Sequence, residues 1–392
     1  MANDANNLVT ITDPQEDRYA SLHLINWWRQ ERIQAARIMV VGAGALGNEV
    51  LKNLALLGVG HIFISDFDII EVSNLTRSVL FRSEDRGQLK ARIAAKRVQA
   101  LNPDIKVIPF HGDITRELGA GVFRRMDVVI SCLDNRAARM AVNSACWNVN
   151  VPWVDGALDV QDGLIRVFIP PDSACYECTM TEQDYALLGL RYSCQPGFTP
   201  VSGRQPTMPT TASLIAAMQV QEAIKLLHRQ IVPAGQAVYY SWQSLRLNSM
   251  SYPRRQDCPA HTTFERIISL PYCVNDLTTG QLGDVIRPFI EADGIVYLPH
   301  DVVTSFYCPV CKSEEAVHRP FYLVVPERVT CPHCATARVF DVTSTFSTRS
   351  AQKQIPLSQL GIPALHILPV RSGTDWQYFE LSNDEQYVLA TW

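Results

Sequence analysis

The chain has 392 residues, enough to bury more than one core, so length alone predicts two or three domains. Apolar residues make up 47% and charged residues 19%, the balance of an ordinary globular protein and not of a disordered one. A net charge of -4 gives no electrostatic reason to expect nucleic acid or an anionic membrane as a partner.

The opening "MANDANNLVTITDPQED" is polar and acidic and lacks the basic and apolar regions of a secretory leader. No apolar run approaches the roughly 18 residues a membrane helix needs, so the expected location is the cytoplasm. Residues 1–36 read as an N-terminal segment, in which "DRYASLHLINWWRQERIQAA" predicts a helix. Ile38 to Val41 predict a buried strand, and a helix follows from Leu46, with Leu46, Val50, Leu54 and Leu57 on one face and Gly58 as its stop. "HIFISD" is the next strand, so the sheet begins parallel. A helix over "QLKARIAAKRVQALNP" precedes strands at "KVIPF", "MDVVISCLDN" and "LIRVFIP". "TTASLIAAMQVQEAIKLLH" predicts a long helix with Ala216, Ala217, Val220, Ile224 and Leu227 on its buried stripe. Between Cys178 and that helix lies an irregular stretch rich in Pro, Gly and Ser, longer than compact domains use for connection alone.

Past residue 262 short strand-like runs and turns take over. "LTTGQLGDVIRPFIEADGIVYLPHDVVTSFYC" predicts a helix and then strands, "FYLVVPE" a strand-like run, and "IPLSQLGIPALHILPVRSGTDWQYFELS" further strands. The fold class expected is α/β, with a doubly wound, mostly parallel Rossmann-like sheet over residues 37–261. A C-terminal α+β domain with a zinc ribbon is expected over residues 262–392.

"GAGALG" (Gly42, Gly44, Gly47) follows a strand and opens a helix. Glycines let the backbone approach a phosphate, and the helix N-terminus presents N–H groups and partial positive charge to it. Asp66, closing the next strand, is placed to accept hydrogen bonds from ribose hydroxyls. A nicotinamide dehydrogenase fits these residues equally well, and tight helix–strand packing is the plainer alternative.

The next motifs separate the candidates: "DFDIIEVSNLTR", then "GQLK", then "ISCLDN". With them the chain resembles the adenylation domain of the ThiF/MoeB and ubiquitin-activating enzyme superfamily, from about Arg18 to His261. The resemblance implies ATP and Mg2+ as cofactors. It implies that Asp66 binds ribose, with Asp68 and Asn135 also at the nucleotide, and that Asn74, Arg77 and Lys90 contact the phosphates. Asp134, which it makes the magnesium ligand, completes the set. The chemistry agrees, because activating a carboxylate with ATP brings two anions together and needs cations between them. Arg77 and Lys90 supply fixed positive charge, although without the motif they would read as a solvated pair, and Asp134 suits a hard cation through oxygen. The family opens on Arg-Tyr-x-Arg, whose second arginine reaches a neighbouring subunit's nucleotide. Here the stretch is Arg18-Tyr19-Ala20-Ser21, so the homodimer that the resemblance implies lacks one of its usual contacts.

Of eleven cysteines, Cys175/Cys178, Cys308/Cys311 and Cys331/Cys334 form C-x-x-C pairs, which in a large reducing-compartment protein reads as zinc. The resemblance pairs the first with a second half-site, here Cys258 and His261, giving a Cys₃His set. Two unrelated surface residues are the alternative at Cys258 and His261. Cys308, Cys311, Cys331 and Cys334 carry the spacing of a zinc ribbon, with a redox thiol set as the alternative. Cys132, mid-strand, and Cys146, in a helix, are expected to be buried and inert, and Cys273 shows no chemistry. Cys194 stands in the irregular stretch beside Pro196 and Gly197, with Arg191 nearby. The resemblance implies that the acyl-accepting cysteine lies in this stretch, and a thiolate is a proper nucleophile for an acyl-adenylate. A bland loop cysteine is the alternative.

The function expected is ATP-dependent adenylation of the C-terminal glycine of a ubiquitin-like protein, thioester formation on Cys194, and transfer to a conjugating enzyme. The C-terminal part would hold that partner or serve stability or dimerisation. "GAGALGNEVLKNLALLGVG" resembles the activating enzymes of bacterial and archaeal ubiquitin-like operons, a group with members in antiviral defence. A sulfur-carrier adenylyltransferase of the thiamin or molybdopterin type and a non-catalytic binding subunit are the rival readings.

Overall fold

A computed structural model of the protein describes residues 17–191, 207–349, 354–389 and 392. The chain divides into two compact units, Met1–Ile114 with Phe123–Thr262 and Thr391–Trp392, and Thr115–Val122 with Thr263–Ala390.

The first unit opens with α1 (Gln30–Ala35), β1 (Arg37–Val41), α2 (Ala45–Leu57), β2 (His61–Ser65), α3 (Lys90–Leu101) and β3 (Lys106–Phe110). In chain order there follow α4 (Ala120–Phe123), of which all but Phe123 belongs to the second unit, and then, in the first, β4 (Val128–Ser131), α5 (Arg136–Asn148), β5 (Trp153–Asp159), β6 (Asp162–Phe168), α6 (Glu182–Arg191), α7 (Pro209–Leu227), β7 (Gln236–Ser241) and β8 (Arg246–Ser251). Among the described residues these build an eight-stranded sheet in the order β3-β2-β1-β4-β5-β6-β7-β8. The pairs from β3 through β5 are parallel, and those from β5 through β8 antiparallel. The expected α/β class with a mostly parallel sheet is therefore met. Ile38, Met39, Val40 and Val41 are all buried because a parallel strand of this kind is covered on both faces. Strand order reverses between β1 and β4, and a crevice opens beyond the carboxyl ends of strands at such a point.

α2 buries Leu46, Val50, Leu51, Leu54 and Ala55 in one core with Ile215, Ala216, Val220, Ala223 and Ile224 of α7. It stops at Gly58, whose φ of +77° suits the left-handed turn, and whose absent Cβ would lie 2.2 Å from the Tyr19 hydroxyl.

Four local expectations in the first unit are corrected. The opening segment is not one helix: a 3-10 turn (Leu22–Leu24) and α1 are separated by extended backbone at Ile25 and Arg29. The Arg29 N–H is drawn instead to His228 Nε2 at the end of α7, 3.1 Å away, where the Trp28 ring also packs. Ala217 faces solvent, while Ile215, Gln219 and Ala223 share the buried face with Ala216 and Val220. The irregular stretch contains α6, whose start is held by Thr181 and Asp184: each accepts the other's backbone N–H on its side-chain oxygen. Cys132 is half-buried just past β4 and not mid-strand.

The second unit holds β9 (Ile267–Leu270), α8 (Thr279–Ile286), β10 (Gly294–Tyr307), β11 (Glu314–Pro320), β12 (Val339–Ser347), β13 (Ile367–Ser372), β14 (Asp375–Leu381) and α9 (Glu385–Leu389). The sheet runs β11-β10-β13-β14-β9 with β12 also on β10, antiparallel except where β14 meets β9. α8 starts on a reciprocal cap, Thr278 N–H to Gln281 Oε1 at 2.9 Å and the Gln281 N–H back to the Thr278 hydroxyl oxygen. Leu282, Ile286, Val296, Leu368, Val370 and Phe379 form its core. "FYLVVPE" is not a strand: Pro320 precedes it and Pro326 falls within it, and the chain here forms 3-10 turns over Phe321–Leu323 and Pro326–Val329.

His366 gives this unit a pH limit. Burial, and then the nearby His300, pull its imidazole down to about 4, and its Nδ1 is buried without a partner among the described residues. Above pH 6.5 the ring is neutral in both the folded and unfolded states. Between 6.5 and about 4 the unfolded chain takes up a proton that the folded one refuses, so stability falls by about 3 kcal/mol across that window. Urea unfolding at pH 7.5 and 4.5 checks this. The second unit's midpoint should drop less in His366→Gln than in the wild type, and an equal drop refutes the assignment.

Candidate functional site

At the carboxyl end of β1 the chain turns through Gly42, with φ of +96°. A Cβ there would lie 2.5 Å from the Cys132 carbonyl oxygen, so glycine is what lets this loop close against the end of β4. Gly47 is equally confined, against the Gly42 carbonyl. Gly44, the N-cap of α2, differs: nothing lies within 4 Å of where its Cβ would be. Packing thus explains Gly42 and Gly47, and open approach to a helix N-terminus is left to Gly44.

Asp66, just past β2, braces this loop. Its Oδ2 accepts the Ala43 N–H at 2.7 Å and its Oδ1 the Asp68 N–H at 2.8 Å. Burial pushes its carboxyl above the usual range, against the charge of Lys90 and these two N–H groups. Lys90, at the start of α3, is only 9% exposed, which removes the solvated-pair reading for this residue. Its Nζ donates to Asp68 Oδ2 at 2.7 Å, and its backbone N–H to the Asp68 carbonyl at 2.9 Å. Asn74 Oδ1 accepts the Glu71 N–H at 2.9 Å and closes a 3-10 turn, and Arg77 Nη1 donates to the Ser73 carbonyl at 3.2 Å on that turn.

Asn48 was not anticipated. Fully buried on α2, it donates to the Ala43 and Gly44 carbonyls at 2.7 and 2.9 Å and accepts the Leu80 N–H at 3.0 Å. It ties the glycine loop to the segment just past Arg77. A polar residue between Leu46 and Val50 on the apolar stripe was the available signal.

Asp134 is exposed, in the turn between β4 and α5. Asn135 caps α5, accepting the Ala138 N–H at 2.8 Å, and its Nδ2 lies 3.3 Å from Asp134 Oδ1. Beneath this turn Asp155, fully buried on β5, meets Arg139 Nε at 2.9 Å, Arg166 Nε at 3.1 Å and the Ser131 hydroxyl at 2.9 Å. Burial alone would raise its carboxyl, but the two guanidinium groups outweigh that and hold it below the usual range. Burial, then Asp155, pushes the neighbouring Cys132 thiol well up, which favours the protonated form over the nucleophilic thiolate. Burial also pushes Cys146 up, and Cys273 is pushed up to about 11 by burial and then by Asp384 and Asp276.

Two cysteine groups among the described residues could hold a metal ion. In the first unit Cys175 Sγ lies 3.7 Å from Cys178 Sγ and 3.6 Å from Cys258 Sγ, and Cys178 Sγ lies 3.4 Å from His261 Nε2. Zinc–sulfur bonds of about 2.3 Å at tetrahedral angles put two thiolates about 3.7 Å apart, so this donor set fits zinc. The reading of Cys258 and His261 as unrelated surface residues is overturned. His261 stacks on Trp147 with ring centroids 4.5 Å apart. In the second unit Cys308 lies 3.4 Å from Cys334 and Cys311 3.6 Å from Cys331. Both knuckles turn alike: Lys312 and Ala335, each one past the second cysteine and at positive φ, return N–H bonds to the Cys308 and Cys331 carbonyls.

Cys194, with Pro196 and Gly197, lies outside the described residues. Arg18 Nη1 donates to the Leu101 carbonyl at 2.9 Å, Tyr19 is buried with its hydroxyl accepting from Asn102 Nδ2, and Ser21 is exposed. No helix among the described residues is long and apolar enough to cross a membrane.

The chain is 30% identical over 231 residues to the sulfur carrier protein ThiS adenylyltransferase of Escherichia coli strain K12, covering 59% of this chain and 87% of that protein. It is 31% identical over 231 residues to the SAMP-activating enzyme E1 of Haloferax volcanii, covering 59% of this chain and 82% of the relative. The crystal structure of E. coli MccB with ATP superposes with a TM-score of 0.53 at 22% identity, over 64% of this chain and 75% of that one, a likeness of fold. Residues 16–260, more than half of the sequence, match the ThiF family, and the chain belongs to it.

Proposed function

We propose that the chain is an ATP-dependent adenylyltransferase that activates the C-terminal carboxylate of a ubiquitin-like protein. The observation that carries this reading is the set of groups at the carboxyl ends of β1, β2 and β4: open Gly44 on a helix N-terminus, the braced Asp66, Arg77 on its turn, buried Lys90 and exposed Asp134. The N-terminus of α2 offers N–H groups and partial positive charge to phosphate. Lys90 exchanges Asp68 for a phosphate oxygen, and Arg77 offsets the repulsion between nucleotide and carboxylate. Asp134 supplies the oxygen ligand that suits Mg2+, which when bound neutralises phosphate charge. The substrate carboxylate oxygen bonds to the α-phosphorus as the bond to pyrophosphate breaks, leaving an acyl-adenylate.

Cys194 then takes the acyl group: its thiolate bonds to the acyl carbon and AMP leaves with the oxygen. A conjugating enzyme receives the thioester. Zinc at Cys175, Cys178, Cys258 and His261 braces the first unit, and zinc at Cys308, Cys311, Cys331 and Cys334 makes a ribbon in the second. A homodimer belongs to this reading. The name of the Haloferax relative supports an activating enzyme, and that of the E. coli relative favours the second reading, a sulfur-carrier adenylyltransferase.

The test combines the full chain, Mg-ATP and a co-encoded ubiquitin-like protein, read by pyrophosphate exchange and a non-reducing gel. Wild type should exchange and form a reductant-sensitive adduct. Cys194→Ala should exchange without the adduct, because adenylation needs positioning and charge but no thiol. An adduct persisting in the variant removes Cys194 from its role. Exchange without any wild-type adduct selects the sulfur-carrier reading, and absence of exchange rejects both. The finer role in antiviral conjugation requires that Cys194→Ala abolish protection against phage in a host carrying the complete operon.

A further inference from the structure

We infer that Arg139 is a positioning residue for the Asp134 turn, and that the buried Asp155–Arg166 pair holds Arg139 to that task. The inference rests on the adenylyltransferase reading, in which Asp134 faces the metal and phosphates.

Asp134 is exposed, so its own side chain has little packing to fix it. What is fixed is the backbone on either side. On one side Arg139 Nη2 donates to the Leu133 carbonyl at 2.6 Å. On the other, Asn135 caps the helix that bears Arg139. The same guanidinium reaches Asp155 Oδ1 through Nε at 2.9 Å and the Gly156 carbonyl through Nη2 at 3.1 Å. It therefore bridges β5 to the turn after β4, with a planar fork that a lysine cannot reproduce.

Asp155 has no solvent exposure and shares its oxygens among Arg139, Arg166 and the Ser131 hydroxyl. Arg166 lies over the Tyr176 ring, 4.8 Å from its centroid, which fixes it from the other side. Below the pair, Gln219 Nε2 donates to the carbonyls of Ser131 and Val154 at 2.8 and 3.3 Å, locking β4 to β5. Two guanidiniums to one carboxylate is an unbalanced buried set, and well-packed apolar side chains would serve stability at least as well. What apolar side chains cannot do is reach the Leu133 carbonyl. The cluster's distinctive product is the geometry of the Asp134 turn.

The imbalance also makes a clean test. Arg139→Met leaves Asp155 and Arg166 as a charge-balanced pair, and Arg139→Lys keeps the charge but loses the fork. Calorimetric binding of a non-hydrolysable ATP analogue, with and without Mg2+, is measured on the full-length chain, with Asp134→Ala as the benchmark. Both Arg139 variants should weaken the Mg2+-dependent part of binding by about 10- to 100-fold, the usual cost of losing the support of a metal ligand. Metal-free binding should stay near the wild-type value. A lower melting temperature with equal losses in both conditions would mean a purely structural role and overturn the inference. Wild-type Mg2+ dependence in either folded Arg139 variant would also overturn it, while leaving the proposed function standing. If Asp134→Ala itself keeps full Mg2+ dependence, the metal assignment falls and the positioning role with it.

Discussion

Lys90→Ala should reduce pyrophosphate exchange more than Arg77→Ala does, and both losses should be large. Removing one positioned donor from an anion-stabilising site costs about 10²- to 10³-fold in turnover, which sets the expectation for Arg77. Arg77 is half-buried, and its side chain's hydrogen-bond partner among the described residues is the Ser73 carbonyl, so its loss removes a cation and little else. Lys90 is buried, and its ammonium neutralises Asp68, whose side chain is half exposed beside the crevice. Without Lys90 that carboxylate remains where phosphate must approach, and repulsion is added to the missing attraction. The double variant Lys90→Ala/Asp68→Asn should therefore recover part of the exchange that Lys90→Ala loses. The assay is exchange with Mg-ATP and the co-encoded ubiquitin-like protein at fixed ionic strength. If Arg77→Ala and Lys90→Ala both exchange like wild type, the phosphate assignment is wrong. If the double variant is no better than Lys90→Ala, Asp68 is not the source of the extra loss.

Zinc content should divide between the two units. Purified chain should hold two zinc ions, one for each cysteine group. Cys258→Ser should lose one and Cys311→Ser the other, since each group draws its four ligands from a single unit. The effects on folding should differ. Cys175, Cys178 and Cys258 are buried around Trp147, and His261 stacks on the same indole, so losing that ion disturbs a packed cluster. Binding free energy at a structural site is folding free energy, so Cys258→Ser should melt well below wild type. Cys311 is exposed, and its loss should loosen the knuckles of the second unit while leaving pyrophosphate exchange near wild type. Elemental analysis with thermal melting reads both. One zinc in the wild type that survives Cys258→Ser would reject the Cys₃His site and spare the ribbon.

Local pattern was enough for the sheet's beginning. β1, α2 and β2 follow from an apolar run, a helical spacing of Leu46, Val50 and Leu54, and a second apolar run, and burial on both faces leaves such segments few alternatives. The cysteine knuckles were equally plain, because metal spacing is short-range by nature. "FYLVVPE" has the residues of a strand, yet Pro320 caps one 3-10 turn and Pro326, within the stretch, opens another. Ala217 was misplaced because alanine is at home on either side of a helix, and only packing decides which side is covered. The opening segment broke because a histidine at the end of α7 took the backbone N–H that a continuous helix would have used. α6 carried its signal in Thr181 and Asp184, a cap legible in the sequence but masked by its Pro- and Gly-rich surroundings.

The sequence by itself determined which residue types stand at the candidate site: the glycine loop, Asp66, Arg77, Lys90, Asp134 and the C-x-x-C pairs are each local words with a chemical meaning. Only the tertiary structure decided what holds them. Asn48 reaches Leu80, Arg139 and Arg166 converge on Asp155, and Gln219 bridges two strands from far along the chain. A buried polar group must find its partner wherever the fold brings one, and sequence spacing carries no record of a partner that is distant along the chain.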